Sequence, residues 1–236
     1  MTGRVEKVVL ATNNPKKLVE LRRVIQDAGV AVEVLGLGDF DSCPEPDETE
    51  RTFEGNAFIK AEAAARHTGL PALADDSGLE VDELNSMPGV RSARWAGPEC
   101  DDAANNALLL AQLAGVPPER RGARFVCALA LALPGGGRRL WRGEMPGRIA
   151  EEERGDGGFG YDPLFLPDGR TCTSAELTAA QKDAIRHRGK AVRAFVAGLQ
   201  EPGWRSTWIC CAASWLTEST AATAPEPAPA ASSATR

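Results

Sequence analysis

The sequence predicts an α/β chain built on a mixed β-sheet, and three observations carry that prediction. Short strand-like runs alternate with segments whose apolar residues recur at helical spacing, as parallel pairing requires. Two strand-like runs, Ala123 to Leu133 and Arg139 to Met145, flank the turn PGGG and read as an antiparallel hairpin. The composition is that of a folded domain: 236 residues, 43% hydrophobic and 25% charged, with 24 Gly and 16 Pro.

Taken in order, KVVLAT is a β-rich run leading into a polar turn, after which Leu18, Leu21, Ile25 and Ala28 mark a helix. Asn14 suits its N-cap, Pro15 its first position and Gly29 its end. The acidic stretch from Asp39 to Glu54 reads as a loop feeding a helix that carries Phe53, Ala57, Ala61 and Ala64 and stops near Gly69. In LPALADDSGLEVDEL a brief apolar segment is expected to end at the carboxylate pair Asp75 and Asp76, with a Ser-Gly turn before Leu79 and Val81. Asp101 or Asp102 can cap a helix bearing Leu109, Leu110 and Leu113 and closed by Gly115. After the hairpin, the Gly-rich loop RGDGGFGYDP precedes a short strand, Leu164 to Leu166. Thr178 then caps a final long helix with Ile185, Val192, Phe195 and Leu199 on one face. No internal repeat is visible.

Several function classes are excluded at this level. The longest apolar run, Phe125 to Leu133, is far short of the roughly 20 residues of a membrane helix, and Met1 to Lys7 lacks the apolar core of an export signal. A net charge of −6 has the wrong sign for a general nucleic-acid or anionic-membrane surface. The six cysteines contain no C-x-x-C pair, which suits reduced thiols and a cytoplasmic location. An anionic ligand would therefore need a local island of lysines or a metal.

Four constellations can carry chemistry. Thr12, Asn13, Asn14, Pro15, Lys16 and Lys17 form a loop entering a helix, where free N–H groups, the helix dipole and two ammonium groups make a phosphate cradle. The same residues also read as a polar turn with two solvated lysines. Asp75 and Asp76, with the acidic loop around Asp47, Glu48 and Glu50, offer oxygen ligands for Mg²⁺ and a carboxylate whose pKa its neighbour raises. Alternatively, the acidic loop is a solvated face and Asp-Asp-Ser-Gly a turn. In GGFGYDP, Gly157 to Pro163, Phe159 and Tyr161 beside Asp162 can stack on a base, or can tuck into the core. Lys182, His187 and Arg188 are either a ligand clamp or a basic helix face. No Ser-His-Asp or Cys-His arrangement stands out, which argues against a covalent nucleophile.

Together and in order, TNNPKK, EGNAFIKA, ADDSGL, PGVRSARW, GGFGYDP and K-x-x-x-x-HRGKA resemble the inosine/xanthosine triphosphate pyrophosphatase family, also called XTP/dITP diphosphatases. The resemblance spans about Lys7 to Leu199. It implies an elongated mixed α/β subunit (the ITPase-like fold), with a central cleft between two lobes and assembled as a homodimer. The implied reaction is Mg²⁺-dependent hydrolysis of ITP, dITP and XTP to monophosphate and pyrophosphate.

By similarity, Thr12 to Lys17 and Lys60 hold the triphosphate, Asp76 is the catalytic carboxylate and touches the metal, and Glu48 lies at the metal with Asp75 in support. Ser77, Phe159, Gly160, Tyr161, Asp162, Lys182, His187 and Arg188 line the rest of the substrate site. A donor such as Arg188 or His187 would pair with the 6-keto oxygen of inosine or xanthine and clash with the amino group of adenine.

Three departures stand out: Arg186 where the family reads Ser before His-Arg, Glu50 where it has Gly, and extra residues in GRTCTSAEL. They leave open a triphosphate pyrophosphatase of different base preference, or a nucleotide-binding module without turnover. The chain divides into a domain of residues 1–200, an apolar extension of 201–216 and an Ala/Pro/Ser/Thr-rich tail of 217–236, expected to be disordered. The extension is expected to form a short helix with Trp208, Cys211, Ala212 and Trp215 on one face.

Overall fold

A computed structural model describes residues 6–201. The expected helix around Trp208 and the tail of 217–236 lie outside the described residues.

The chain opens as β1 (Glu6–Leu10), α1 (Pro15–Asp27) and β2 (Val32–Gly36). Asn14 caps α1, its side chain accepting from Lys16 N, and Pro15 takes the first turn. Next come α2 (Phe53–Thr68), capped by Thr52 and closed by Gly69, then β3 (Ala72–Val81), the short β4 (Met87–Pro88) and α3 (Asp102–Gln112), capped by Asp101. The expected hairpin is β5 (Gly122–Ala132) and β6 (Arg138–Ile149), followed by β7 (Phe165–Pro167), α4 (Ala179–Ile185) and α5 (His187–Leu199).

The seven strands form one mixed sheet in the order β2-β1-β3-β5-β6-β7, with β4 paired to β3. β1 runs parallel to β2 and β3, and the remaining pairings are antiparallel. Side-chain alternation sends Leu73, Cys127, Leu129 and Leu131 to one face, under α1 and α5. Ala72, Ala74, Val126, Ala128 and Ala130 go to the other face, against α2. A third cluster, with Leu79, Val81, Leu109, Tyr161 and Phe165, fills the far end of the sheet beneath α3.

Two expectations are corrected. The Ser-Gly pair is no turn: β3 runs unbroken through Asp75, Asp76, Ser77 and Gly78, each residue in register with β5. Pairing along ten residues outweighs the local turn preference, and Gly78 is there for room. A Cβ at Gly78 would lie 2.4 Å from Ser92 Oγ and 2.9 Å from the Phe53 ring. The carboxylates consequently sit in mid-strand and point to opposite faces.

The final helix is also not continuous. Arg186 adopts an extended ψ of 133° and separates α4 from α5. Packing on both sides explains the break. α5 lies so close to β6 that a Cβ at Gly143 would be 2.1 Å from the His187 carbonyl oxygen, while α4 must bring Lys182 to Asp162.

Candidate active site

A cleft of about 380 Å³ opens where α1, α2, β3, β5, the 159–162 loop and α4–α5 meet. Its lining includes Lys17, Glu48, Lys60, Asp75, Asp76, Ser77, Phe159, Gly160, Tyr161, Asp162, Lys182, His187 and Arg188. These residues come from widely separated segments, and most of the candidates converge here. Thr12 and Asn13 line a neighbouring recess that shares Lys60 with the cleft. Asn14 and Lys16 build the N-terminal turn of α1, and Asn13 Nδ2 donates to Glu45 at 3.1 Å. A larger hollow of about 580 Å³ beside β2 contains none of the candidates.

Because the two aspartates face opposite ways, they meet different cations. Asp75, wholly enclosed, accepts from Lys17 Nζ at 2.6 Å, and Arg188 Nε stands 3.6 Å from its other oxygen. Burial alone would push the Asp75 carboxyl up, but Lys17 and Arg188 hold it below its ordinary value. Asp76 accepts from Lys60 Nζ at 3.1 Å and from Asn56 Nδ2 at 3.4 Å. Burial and the charge of Glu48 outweigh Lys60 there, and the Asp76 carboxyl is raised. Adjacent carboxylates are thus driven apart, one locked as an anion and one poised to take a proton.

Lys60 also donates to Glu48 Oε1 at 2.9 Å, and Arg94 lies 3.5 Å from Glu48 Oε2. Burial opposes ionisation of Glu48, but those two cations hold its carboxyl below the usual range. Glu48 and Asp76 therefore converge on a single cationic atom. Mg²⁺ is commonly bound through one or two carboxylates plus water and phosphate, and this donor pair fits it. Among the described residues no group of three or more acidic, His or Cys side chains is placed to hold a metal by itself.

At the other end of the cleft the aromatics divide. Phe159 is 68% exposed, with Lys182 Nζ and Arg186 Cζ each 5.7 Å from its ring centre. Tyr161 is buried and donates to the Ser92 carbonyl at 2.8 Å. Asp162 accepts from Phe159 N at 2.9 Å and pairs with Lys182, fixing the loop. Arg188 spends its guanidinium on Glu20 and the Lys17 carbonyl. The His187 ring stacks on Phe125 at 5.3 Å; burial, and then Arg186, pull its pKa down to about 3, leaving the imidazole neutral with Nδ1 unpartnered among the described residues.

Sequence reasoning did not single out Asn56, Arg94, Ser92, Phe125 or Glu20, and offered Asp102 only as an alternative helix cap, a place that Asp101 takes. Asp102 accepts from Gly160 N at 2.7 Å, so the N-terminus of α3 anchors the aromatic loop. Asn56 and Arg94 stand within the quoted motifs EGNAFIKA and PGVRSARW, but nothing local marks either side chain as a partner of a carboxylate. Ser77 lies exposed in the cleft opposite Cys127, whose thiol burial pushes up to about 12. That thiol is no nucleophile.

Fold and cleft together define an α/β protein whose lysines and carboxylates share a cavity of small-ligand size. The chain belongs to the Ham1 family, whose model matches residues 8–198. It is 59% identical over 194 residues to a dITP/XTP pyrophosphatase of Nocardia farcinica, covering 82% of this chain and 94% of that one. A Frankia alni dITP/XTP pyrophosphatase is 59% identical over 200 residues, covering 83% and 98%. Among solved structures, a Mycobacterium abscessus nucleoside-triphosphatase / dITP/XTP pyrophosphatase superposes with a TM-score of 0.72 at 54% identity, covering 80% of this chain and 97% of that one. A HAM1 protein of Coxiella burnetii gives a TM-score of 0.77 at 41% identity, covering 82% and 98%. No helix among the described residues is long and apolar enough to cross a membrane.

Proposed function

We propose that this chain is a nucleoside triphosphate pyrophosphatase that hydrolyses dITP, ITP and XTP to the monophosphate and pyrophosphate. The observation that carries the reading is the split between Asp75 and Asp76 within one lysine-lined cleft, and the named relatives support the substrate class.

Lys17, Lys60 and the turn of Thr12 to Lys16 receive the phosphates and offset the charge that builds on the leaving pyrophosphate. Asp76, desolvated and raised, orients the attacking water and accepts its proton. Asp75 stays ionised and holds Lys17 and Arg188 in place. Glu48 and Asp76 are the residues that would hold Mg²⁺, which when bound supplies Lewis-acid neutralisation of phosphate charge.

Phe159 carries the base on its exposed ring. With Arg188 committed to Glu20, recognition of the 6-keto oxygen falls to the neutral His187 ring. A site built on such a hydrogen bond can discriminate by about 10⁴ or more against a base that cannot make it. We place the activity in residues 1–200 and read the working species as a cytoplasmic homodimer, which light scattering would show as twice the chain mass.

The test is pyrophosphate release across ITP, dITP, XTP, GTP and ATP, with and without Mg²⁺, for the wild type and Asp76→Asn. Removing the base should lower kcat by about 10²–10⁴ while nucleotide binding persists. The wild-type rate should fall at acid pH as Asp76 becomes protonated and can no longer accept a proton. Undiminished turnover by Asp76→Asn, or equal rates with ATP and ITP, refutes the assignment.

A further inference from the structure

Lys60 stands where a metal ion would be expected. Its Nζ lies 2.9 Å from Glu48 and 3.1 Å from Asp76, the two carboxylates best placed for a divalent cation. The remaining oxygens are also taken: Asn56 Nδ2 is 3.4 Å from Asp76 Oδ2, and Arg94 Nη1 is 3.5 Å from Glu48 Oε2. All four carboxylate oxygens thus have a donor from the chain itself. The Lys60 side chain is only 12% exposed, so its ammonium has little water to fall back on.

A divalent cation arriving alone would have to expel that ammonium and leave it nearly buried without a counter-charge, which is strongly unfavourable. A triphosphate changes the balance, because its oxygens offer the ammonium new anionic partners. The flexible four-carbon stem of lysine lets Nζ move to them without moving α2. The carboxylates are then freed of the ammonium they shared, with only Arg94 beside Glu48 and Asn56 beside Asp76 remaining as donors.

We propose that Lys60 is a positioning residue that keeps Glu48 and Asp76 closed to divalent cations until the phosphates of a nucleotide draw its ammonium away, so that the cation enters with the nucleotide or after it. This rests on reading Glu48 and Asp76 as the metal-holding pair. It makes metal affinity and nucleotide affinity mutually dependent, each favouring the other by the same factor.

The experiment is a titration of Mn²⁺ alone, followed by electron paramagnetic resonance, on the full chain as wild type, Lys60→Met and Lys60→Arg, with folding verified by circular dichroism. Without nucleotide, Lys60→Met should bind Mn²⁺ at least about tenfold tighter than the wild type, and Lys60→Arg, which keeps the charge, should not. A non-hydrolysable dITP analogue should raise the wild-type affinity for Mn²⁺ by a similar factor. Tight Mn²⁺ binding by the nucleotide-free wild type overturns the proposal without any variant. So does a Lys60→Met protein that gains nothing while the nucleotide-loaded wild type takes up Mn²⁺. If neither takes up Mn²⁺, the metal reading of Glu48 and Asp76 falls as well, which separates the two failures.

Discussion

Replacing Gly143 by alanine tests whether the seating of α5 on β6 sets the geometry of the cleft. An ideal Cβ at Gly143 would lie 2.1 Å from the His187 carbonyl oxygen, 2.6 Å from Ala191 N and 3.1 Å from His187 C. All three are backbone atoms of α5, so no side chain can swing aside and the helix itself must retreat, by roughly 1 Å. Its apolar face, Val192, Phe195, Val196 and Leu199, is packed in the core with Leu129 and Leu131, and Trp141 meets Phe195 edge-on at 5.1 Å. Overpacking of this kind costs about 1–3 kcal/mol, which in a domain of this size lowers Tm by about 2–12 °C.

The first two residues of α5 are His187 and Arg188, so the same shift carries them away from the cleft and from Asp75. A misplacement near 1 Å can cost about 10²-fold in rate, and kcat/KM for dITP should fall on that scale. Differential scanning calorimetry and pyrophosphate release measure the two effects on one preparation. Gly198→Ala is the control at the far end of the same helix. Its Cβ would meet the Trp141 ring at 3.4 Å, an ordinary contact, and alanine favours the helix, so Tm should hold or rise and kcat/KM should not change. A Gly143→Ala protein with wild-type Tm and wild-type kcat/KM would show that α5 does not depend on this close approach.

Two further outcomes follow from buried polar groups. Tyr161→Phe removes the donor to the Ser92 carbonyl and leaves that oxygen unsatisfied beneath the cleft, so urea unfolding should show a loss of about 1–3 kcal/mol, and an unchanged midpoint would count against the bond. The folded-state pKa of His187 lies at about 3 against an ordinary 6.5, so between those values the unfolded chain binds the extra proton; the stability that the neutral ring contributes is complete above 6.5 and is lost as pH falls toward 3. Urea midpoints should therefore drop on acidification through that window, less steeply in His187→Gln, and equal slopes in the two proteins would refute the assignment.

What could be read from the sequence was local, and what could not was decided by distant partners. Asn14, Pro15 and Gly29 bound α1, and the hairpin around PGGG is a local device, so both follow from residues a few positions apart. The Ser-Gly pair in β3 misleads because its turn preference is local, while its room requirement comes from Ser92 and Phe53. Likewise, the apolar period through Ile185 and Leu199 is helical on both sides of Arg186. The break comes from β6 and Asp162, which no window on the helix contains.

The site follows the same rule. Its acidic and basic residues are visible as types, but the pairing that gives each a role joins Lys17 to Asp75 across 58 positions and Arg188 to Glu20 across 168. Asp75 and Asp76 are indistinguishable as neighbours in a list of residues. Only the alternation of a continuous strand sends one to α1 and α5 and the other to α2, where two cations outweigh burial at Asp75 while burial and Glu48 outweigh Lys60 at Asp76, and that balance decides which carboxylate can still accept a proton.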